Sequence, residues 1–177
     1  MLGKRNIYLV GPMGTGKTAV GRTLARLVGA PFADSDAEIE RHAGVDIPYI
    51  FEQEGEAGFR RRECEVLAEI CQREPLVLAT GGGSILAAEN RQLLKNTGVV
   101  AFLNTSISQQ LQRVGSGRGR PMLQGTDLVH RLEELGRIRE PLYREIADIT
   151  LCTDGKRVSK VAELILRELG MPRGGLG

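Results

Sequence analysis

Lys17 and Thr18 close a glycine-rich run, "GPMGTGKT" (Gly11 to Thr18). An ammonium next to a hydroxyl, behind a loop of small residues, is suited to gripping a polyphosphate and the divalent cation that travels with it. The apolar stretch "NIYLVG" (Asn6 to Gly11) precedes the loop and reads as a short buried strand. From Lys17 onward, Val20, Leu24, Leu27 and Val28 fall on one helical face, and Gly29 is the expected stop. A G-x-x-x-x-G-K-[ST] loop in this strand–helix setting binds a nucleoside triphosphate. Gly11, Gly14 and Gly16 let the backbone curl so that amide N–H groups face phosphate oxygens, and the helix start adds its positive end. The expected nucleotide set is Gly14, Thr15, Gly16, Lys17, Thr18 and Ala19. Within it Lys17 reaches the β- and γ-phosphates, and the Thr18 hydroxyl binds Mg²⁺.

Three other clusters have residue types that could complete a reaction. The "DSD" stretch offers Asp34 and Asp36, which would share one side of an extended chain. The competing reading is a helix N-terminus favoured by acidic residues, and both can hold at once. "EGEAGFRRRECE" carries Arg60, Arg61 and Arg62, two of which are expected to be solvated, and Arg139 lies near the end of a later helix. A guanidinium binds a carboxylate through a fork that lysine cannot copy. Two converging arginines opposite an aspartate would suit a small acceptor with a carboxylate and several hydroxyls. Finally, "VLATGGGSIL" sets Gly81, Gly82 and Gly83 directly after an apolar run, where glycine costs backbone entropy, so something there needs bare backbone. The sequence contains neither the N-K-x-D nor the D-x-x-G motif of a switch GTPase. His42 and His130 lie in no motif, so no histidine base is assigned.

The elements that must position these groups alternate. After the first strand and helix, "PFADSD" can supply a strand edge. Helices are expected over about 35–43 and 47–72, the second broken near Gly55. "PLVLATG" is a strand, a helix spans about 87–96, and "GVVAFLN" is another strand followed by a helix in "NTSISQQLQR". "RVGSGRGRPMLQG" is rich in glycine and arginine, has little to bury, and reads as a moving segment. A helix over about 127–146, a strand "DITLCT" and a helix over about 158–169 complete the chain. Such alternation indicates an α/β fold, a doubly wound and mainly parallel sheet with ligands beyond its carboxyl strand ends. With 177 residues, 41% hydrophobic and 26% charged, one globular domain is expected. A net charge of +2 is too balanced to mark a nucleic-acid surface, and no long apolar run or signal-peptide pattern is seen. Cys64, Cys71 and Cys152 form no C-x-x-C pair and read as free thiols in a reducing compartment, so a cytoplasmic location is expected.

Taken in order, "GPMGTGKT", "DSD", "IFEQEGEAGFRRRE", "TGGG", "GRGRPML" and "REPLYRE" resemble the shikimate kinases from about Asn6 to Leu169. The resemblance implies a single three-layer P-loop kinase domain with a five-stranded sheet. It implies a mobile lid at about 113–125, an acceptor region at about 34–63, and transfer of the ATP γ-phosphoryl to the 3-hydroxyl of shikimate. By motif, Asp36, Arg60, Gly82 and Arg139 match shikimate-binding positions, and Asp34 matches one that organises Mg²⁺ through water. Glu63 would orient the arginines. The "TGGG" loop would line the acceptor site. Side chains at Gly81 to Gly83 would fill space that the ring needs, and backbone N–H groups there can bind its hydroxyls. Arg120 matches a lid arginine that reaches the transferring group, and Arg113 a residue flanking adenine. Lys156 falls where some relatives place a second adenine-side base, although "DGKRVSK" lacks the proline usual at about Val158. The implied partners are ATP and shikimate, with no nucleic acid or membrane, and the implied state is a monomer. A kinase for another sugar acid such as gluconate, or a catalytically silent ATP sensor, are the competing readings. "TGGG" with "REPLYRE" argues against the first, and the presence of Asp34, Asp36 and Arg120 argues against the second.

Overall fold

Side-chain alternation along the strands divides the core in two. In a computed structural model describing residues 6–114 and 128–171, Tyr8 and Val10 of β1 (Asn6–Val10), Leu78 of β3 (Val77–Ala79), and Val100 and Phe102 of β4 (Gly98–Asn104) join one apolar cluster. Their neighbours Ile7, Leu9, Val77, Val99, Ala101 and Leu103 join the other. β2 (Phe32–Asp34) and β5 (Ile149–Cys152) form the edges, giving the order β2-β3-β1-β4-β5. Every pairing is parallel, so the sheet expected to be mainly parallel is wholly so.

A parallel sheet must be covered on both faces. On one side lie α1 (Lys17–Val28) and α7 (Val158–Glu168), which contribute Val20, Leu24, Val161 and Ile165 to the second cluster. On the other lie α2 (Ser35–Ala43), α3 (Ile47–Ile70), α4 (Ala88–Thr97) and α6 (Leu128–Ile146). α5 (Ile107–Val114) follows β4. The expected break in α3 is present: Gly55 has φ 68° and ψ −177°, and Arg62 forms a fork with Glu54 across it at 2.7–3.1 Å. Beyond the bend, Arg60 and Glu63 of α3 line a cleft together with the residues that follow β3. The strand expected over "PLVLATG" is shorter than the apolar run, and a 3-10 turn (Ser84–Leu86) that the periodicity did not show precedes α4.

At the amino ends of the strands the wholly buried Tyr8 donates or accepts at Thr97 Oγ1 (2.8 Å) and accepts from Asn6 Nδ2 (3.0 Å). That network satisfies polar groups far from the loops that follow the strands.

Candidate functional site

Loop one after β1, "DSD" after β2 and "TGGG" after β3 open into one cleft of about 590 Å³. The donor half is built locally. Gly14 and Gly16 have φ of 80° and 82°, a left-handed conformation that glycine adopts without strain. Lys17 Nζ donates to the Gly11 and Pro12 carbonyls at 2.7 and 2.8 Å, so its ammonium is held over the loop. Thr15 is buried, and its hydroxyl donates to the Pro12 carbonyl at 3.1 Å, so its side chain shapes the loop from inside. Ala19 lines the cleft at the start of α1. Arg113 also lines it, donating from Nη1 to the Gly14 carbonyl at 2.8 Å. Lys156, expected beside the nucleotide, is exposed on the β5–α7 connection and does not line this cleft. Arg120 and the rest of the expected lid beyond Val114 lie outside the described residues.

Thr18 Oγ1 donates to Asp34 Oδ2 at 2.7 Å. The other Asp34 oxygen accepts from the Asp36 and Ala37 N–H groups at 3.1 and 3.4 Å, capping α2. The site reading and the capping reading are therefore served by different oxygens of one carboxylate. The extended i, i+2 geometry is corrected: Asp34 ends β2, whereas Asp36 lies in the first turn of α2, and both line the cleft. A hydroxyl and a carboxylate adjacent at a helix start are hard oxygen donors. They fit an ion such as Mg²⁺ that keeps most of its shell as phosphate and water.

The acceptor half is assembled over long range. Arg60 donates from Nη1 to Glu63 Oε2 at 2.7 Å, and Glu63 is 1% exposed. Burial pushes the Glu63 carboxyl above the usual range, and the charge of Arg60 acts against that shift. Arg61 is exposed, as two members of that run were expected to be, whereas Arg62 is half-buried and taken up by Glu54. Arg139 lines not this cleft but a pocket of about 220 Å³ that meets it at Met13; it is 4% exposed, and burial pushes its guanidinium below the ordinary arginine value. Lost hydration makes an anionic ligand there more stabilising than at the surface.

What needed the bare backbone is now visible. A Cβ built on Gly83 would lie 2.3 Å from Arg60 Nη2, and one on Gly81 would lie 2.7 Å from Asp36 Oδ1. The space at these two glycines is thus taken by the Arg60 and Asp36 side chains, while a Cβ on Gly82 would make only ordinary contacts. The Gly81 N–H, expected to be available to a substrate hydroxyl, is taken by Ser35 Oγ at 2.8 Å. Gly83→Ala should displace the Arg60 guanidinium and raise the KM for a carboxylate acceptor by about tenfold or more, with the nucleotide KM unchanged. Steady-state kinetics in both substrates checks this, and an unchanged acceptor KM would remove Arg60 from the clamp.

The sequence reading missed an apolar wall of Ile47, Pro48, Phe51 and Phe59. Phe51 and Phe59 straddle the bend of α3 with ring centroids 4.8 Å apart, and Arg60 Cζ lies 5.2 Å from the Phe59 centroid. Two phenylalanines flanking a glycine break, in a chain with only four, were the available signal. His42 and His130 are exposed and lie off the cleft.

Comparison with known proteins agrees with this geometry. The family model described as "Shikimate kinase" matches residues 13–170. The shikimate kinase of Methylococcus capsulatus is 56% identical over 162 residues, covering 92% of this chain and 90% of that protein. The solved structure of shikimate kinase from Acinetobacter baumannii in complex with shikimate aligns with a TM-score of 0.92 and 51% identity, covering 94% of this chain and 93% of that one. A gluconokinase from Sinorhizobium meliloti 1021 aligns with a TM-score of 0.58 at 18% identity over 93% of this chain and 91% of that one, a likeness of fold alone.

Proposed function

This chain belongs to the shikimate kinase family, and we propose that the cleft, with the neighbouring pocket that Arg139 lines, carries both halves of the family's reaction. The enzyme is an ATP-dependent kinase that moves the γ-phosphoryl of ATP to the 3-hydroxyl of shikimate, giving shikimate 3-phosphate and ADP on the route to chorismate and the aromatic amino acids. The observation that carries the assignment of residues is adjacency. The phosphate loop and the triglycine loop follow neighbouring strands, β1 and β3, and line one cleft with Asp34, Asp36 and Arg60.

Phosphoryl transfer asks the protein mainly for positioning and charge neutralisation. Loop one, residues 14–19, holds the phosphates through its N–H groups, and Lys17 turns its ammonium from the loop carbonyls to the β- and γ-oxygens. The Thr18 hydroxyl and, through water, the Asp34 carboxylate would hold Mg²⁺, which when bound neutralises phosphate charge. Arg60 and Arg139 take the shikimate carboxylate, with Glu63 fixing Arg60. The backbone of Gly81 to Gly83 seats the ring, and Asp36 holds the attacking hydroxyl and accepts its proton. Arg113 flanks the adenine. Arg120, in a lid at about 113–125, would reach the transferring group, an assignment that rests on its place in "GRGRPML". Lys156 on the adenine side rests on the same ordering alone. The three free thiols support a reducing, cytoplasmic setting, and the net charge of +2 gives no support to a nucleic-acid partner. No helix among the described residues is long and apolar enough to cross a membrane.

Coupled ADP release measured with shikimate, with gluconate and with no acceptor tests the acceptor directly. Stimulation by shikimate alone is expected, dependent on Mg²⁺. Stimulation by gluconate in its place would overturn the acceptor assignment.

A further inference from the structure

The triglycine loop is held by two side chains that none of the reaction roles above uses. Ser35, the middle residue of "DSD", is 0% exposed, and its Oγ accepts the Gly81 N–H at 2.8 Å. Tyr143, on α6 one turn after Arg139, is 1% exposed, and its phenol donates to the Gly82 carbonyl. Its ring stacks on Phe102 of β4 with centroids 5.0 Å apart and planes at 21°. We propose that Ser35 and Tyr143 are positioning residues that grip consecutive glycines of the acceptor loop from opposite sides and fix the distance between that loop and Arg139.

The geometry makes the coupling direct. A Cβ built on Gly82 would stand 3.5 Å from Arg139 Nη1 and 3.6 Å from the Tyr143 hydroxyl, so loop, guanidinium and phenol meet at one point. Tyr143 and Arg139 also interact electrostatically. Burial pushes the Tyr143 phenol above its ordinary value, which keeps it protonated, and so a donor, throughout the neutral range. Without that donor the half-buried Gly82 carbonyl loses the partner that fixes its direction. Its peptide plane can then turn, and turning it moves Gly83, against which the Arg60 guanidinium is packed. Both forks would drift relative to each other, although neither arginine has been altered. Ser35 acts at the preceding residue in the same sense and ties the loop to the β2–α2 junction that carries Asp34 and Asp36. A two-point fork tolerates little displacement, so the loss should fall on acceptor binding.

The inference rests on the reading of Arg139 as a carboxylate clamp, and the test separates the two. Tyr143→Phe keeps the stacked ring and removes one oxygen. It should raise the shikimate KM about three- to tenfold, with the ATP KM and kcat within about twofold of the parent. Ser35→Ala should show the same split, and the double variant should fall short of the product of the two, since both hold one loop. Tyr8→Phe is the control: an equally buried tyrosine whose hydroxyl serves Thr97 and Asn6 at the other end of the sheet. It should lower the melting temperature and leave the shikimate KM unchanged. Should Tyr143→Phe fail to fold, Ser35→Ala decides the matter. A lowered melting temperature with an unchanged shikimate KM in both variants, or a parallel rise in both substrates' KM, would overturn the proposal. Arg139→Ala runs alongside: if it raises the shikimate KM while Tyr143→Phe and Ser35→Ala do not, the clamp stands and the positioning role falls. If Arg139→Ala leaves that KM unchanged, the clamp reading itself falls.

Discussion

Lys17→Met should lower kcat by about 10²-fold or more while the protein remains folded. The ammonium already sits on the phosphate loop, 2.7 and 2.8 Å from two carbonyls that face the start of α1. Swinging onto phosphate oxygens therefore costs little reorganisation, and that pre-positioning is what makes the charge effective as negative charge shifts during transfer. Methionine keeps the length and apolar stem of the side chain, so the loss isolates the charge. The Gly11 and Pro12 carbonyls lose their donor in this variant, so the melting curve separates the cost in stability from the cost in rate. Lys17→Arg should not restore the rate, because a planar fork cannot reproduce a compact point charge in this turn. Single-turnover kinetics with a parallel melting curve checks the prediction. Near-parental turnover in a folded variant would place the nucleotide elsewhere.

What was legible in the sequence divides by the range of the interactions. The phosphate loop was readable because strand, turn and helix are contiguous, and each of its glycines answers a local backbone demand. The two-sided core was readable for the same reason, since Ile7/Tyr8/Leu9/Val10 alternate between two clusters. "DSD" was only half readable: three residues cannot say whether a strand continues or a helix begins, and here the helix begins at Ser35. The triglycine loop announced that bare backbone was needed but not for what. The side chains that crowd Gly81 and Gly83, those of Asp36 and Arg60, come from helices distant in sequence. Ser35 and Tyr143 carried no signal as functional residues. A buried serine and a tyrosine in an amphipathic helix are ordinary core components until their partners are known. Lys156 was placed by motif order alone, and the β5–α7 connection leaves it outside the cleft.

Asp36→Asn should reduce kcat by about 10²- to 10⁴-fold, the range associated with loss of a positioned acid–base group. Asp36 sits in the first turn of α2, with its N–H bound to the Asp34 carboxylate and its Oδ1 packed against Gly81. Asparagine has the same shape, is well tolerated near a helix start, and keeps the backbone bond, so the fold and the loop contact should survive. What it removes is the negative charge that the proposed mechanism sets against the attacking hydroxyl. The division of the effect between constants tells which task the carboxylate performs. If Asp36 takes the proton, kcat falls steeply while the shikimate KM changes by no more than about threefold, because an amide can still accept a hydrogen bond from the hydroxyl. If it only orients the acceptor, the loss appears chiefly in KM. Steady-state kinetics over a range of shikimate concentrations distinguishes these outcomes, with Arg60→Ala as a reference for pure acceptor binding. A folded Asp36→Asn enzyme within about threefold of the parental kcat would mean that the attacking hydroxyl is activated by transfer to the phosphoryl group alone.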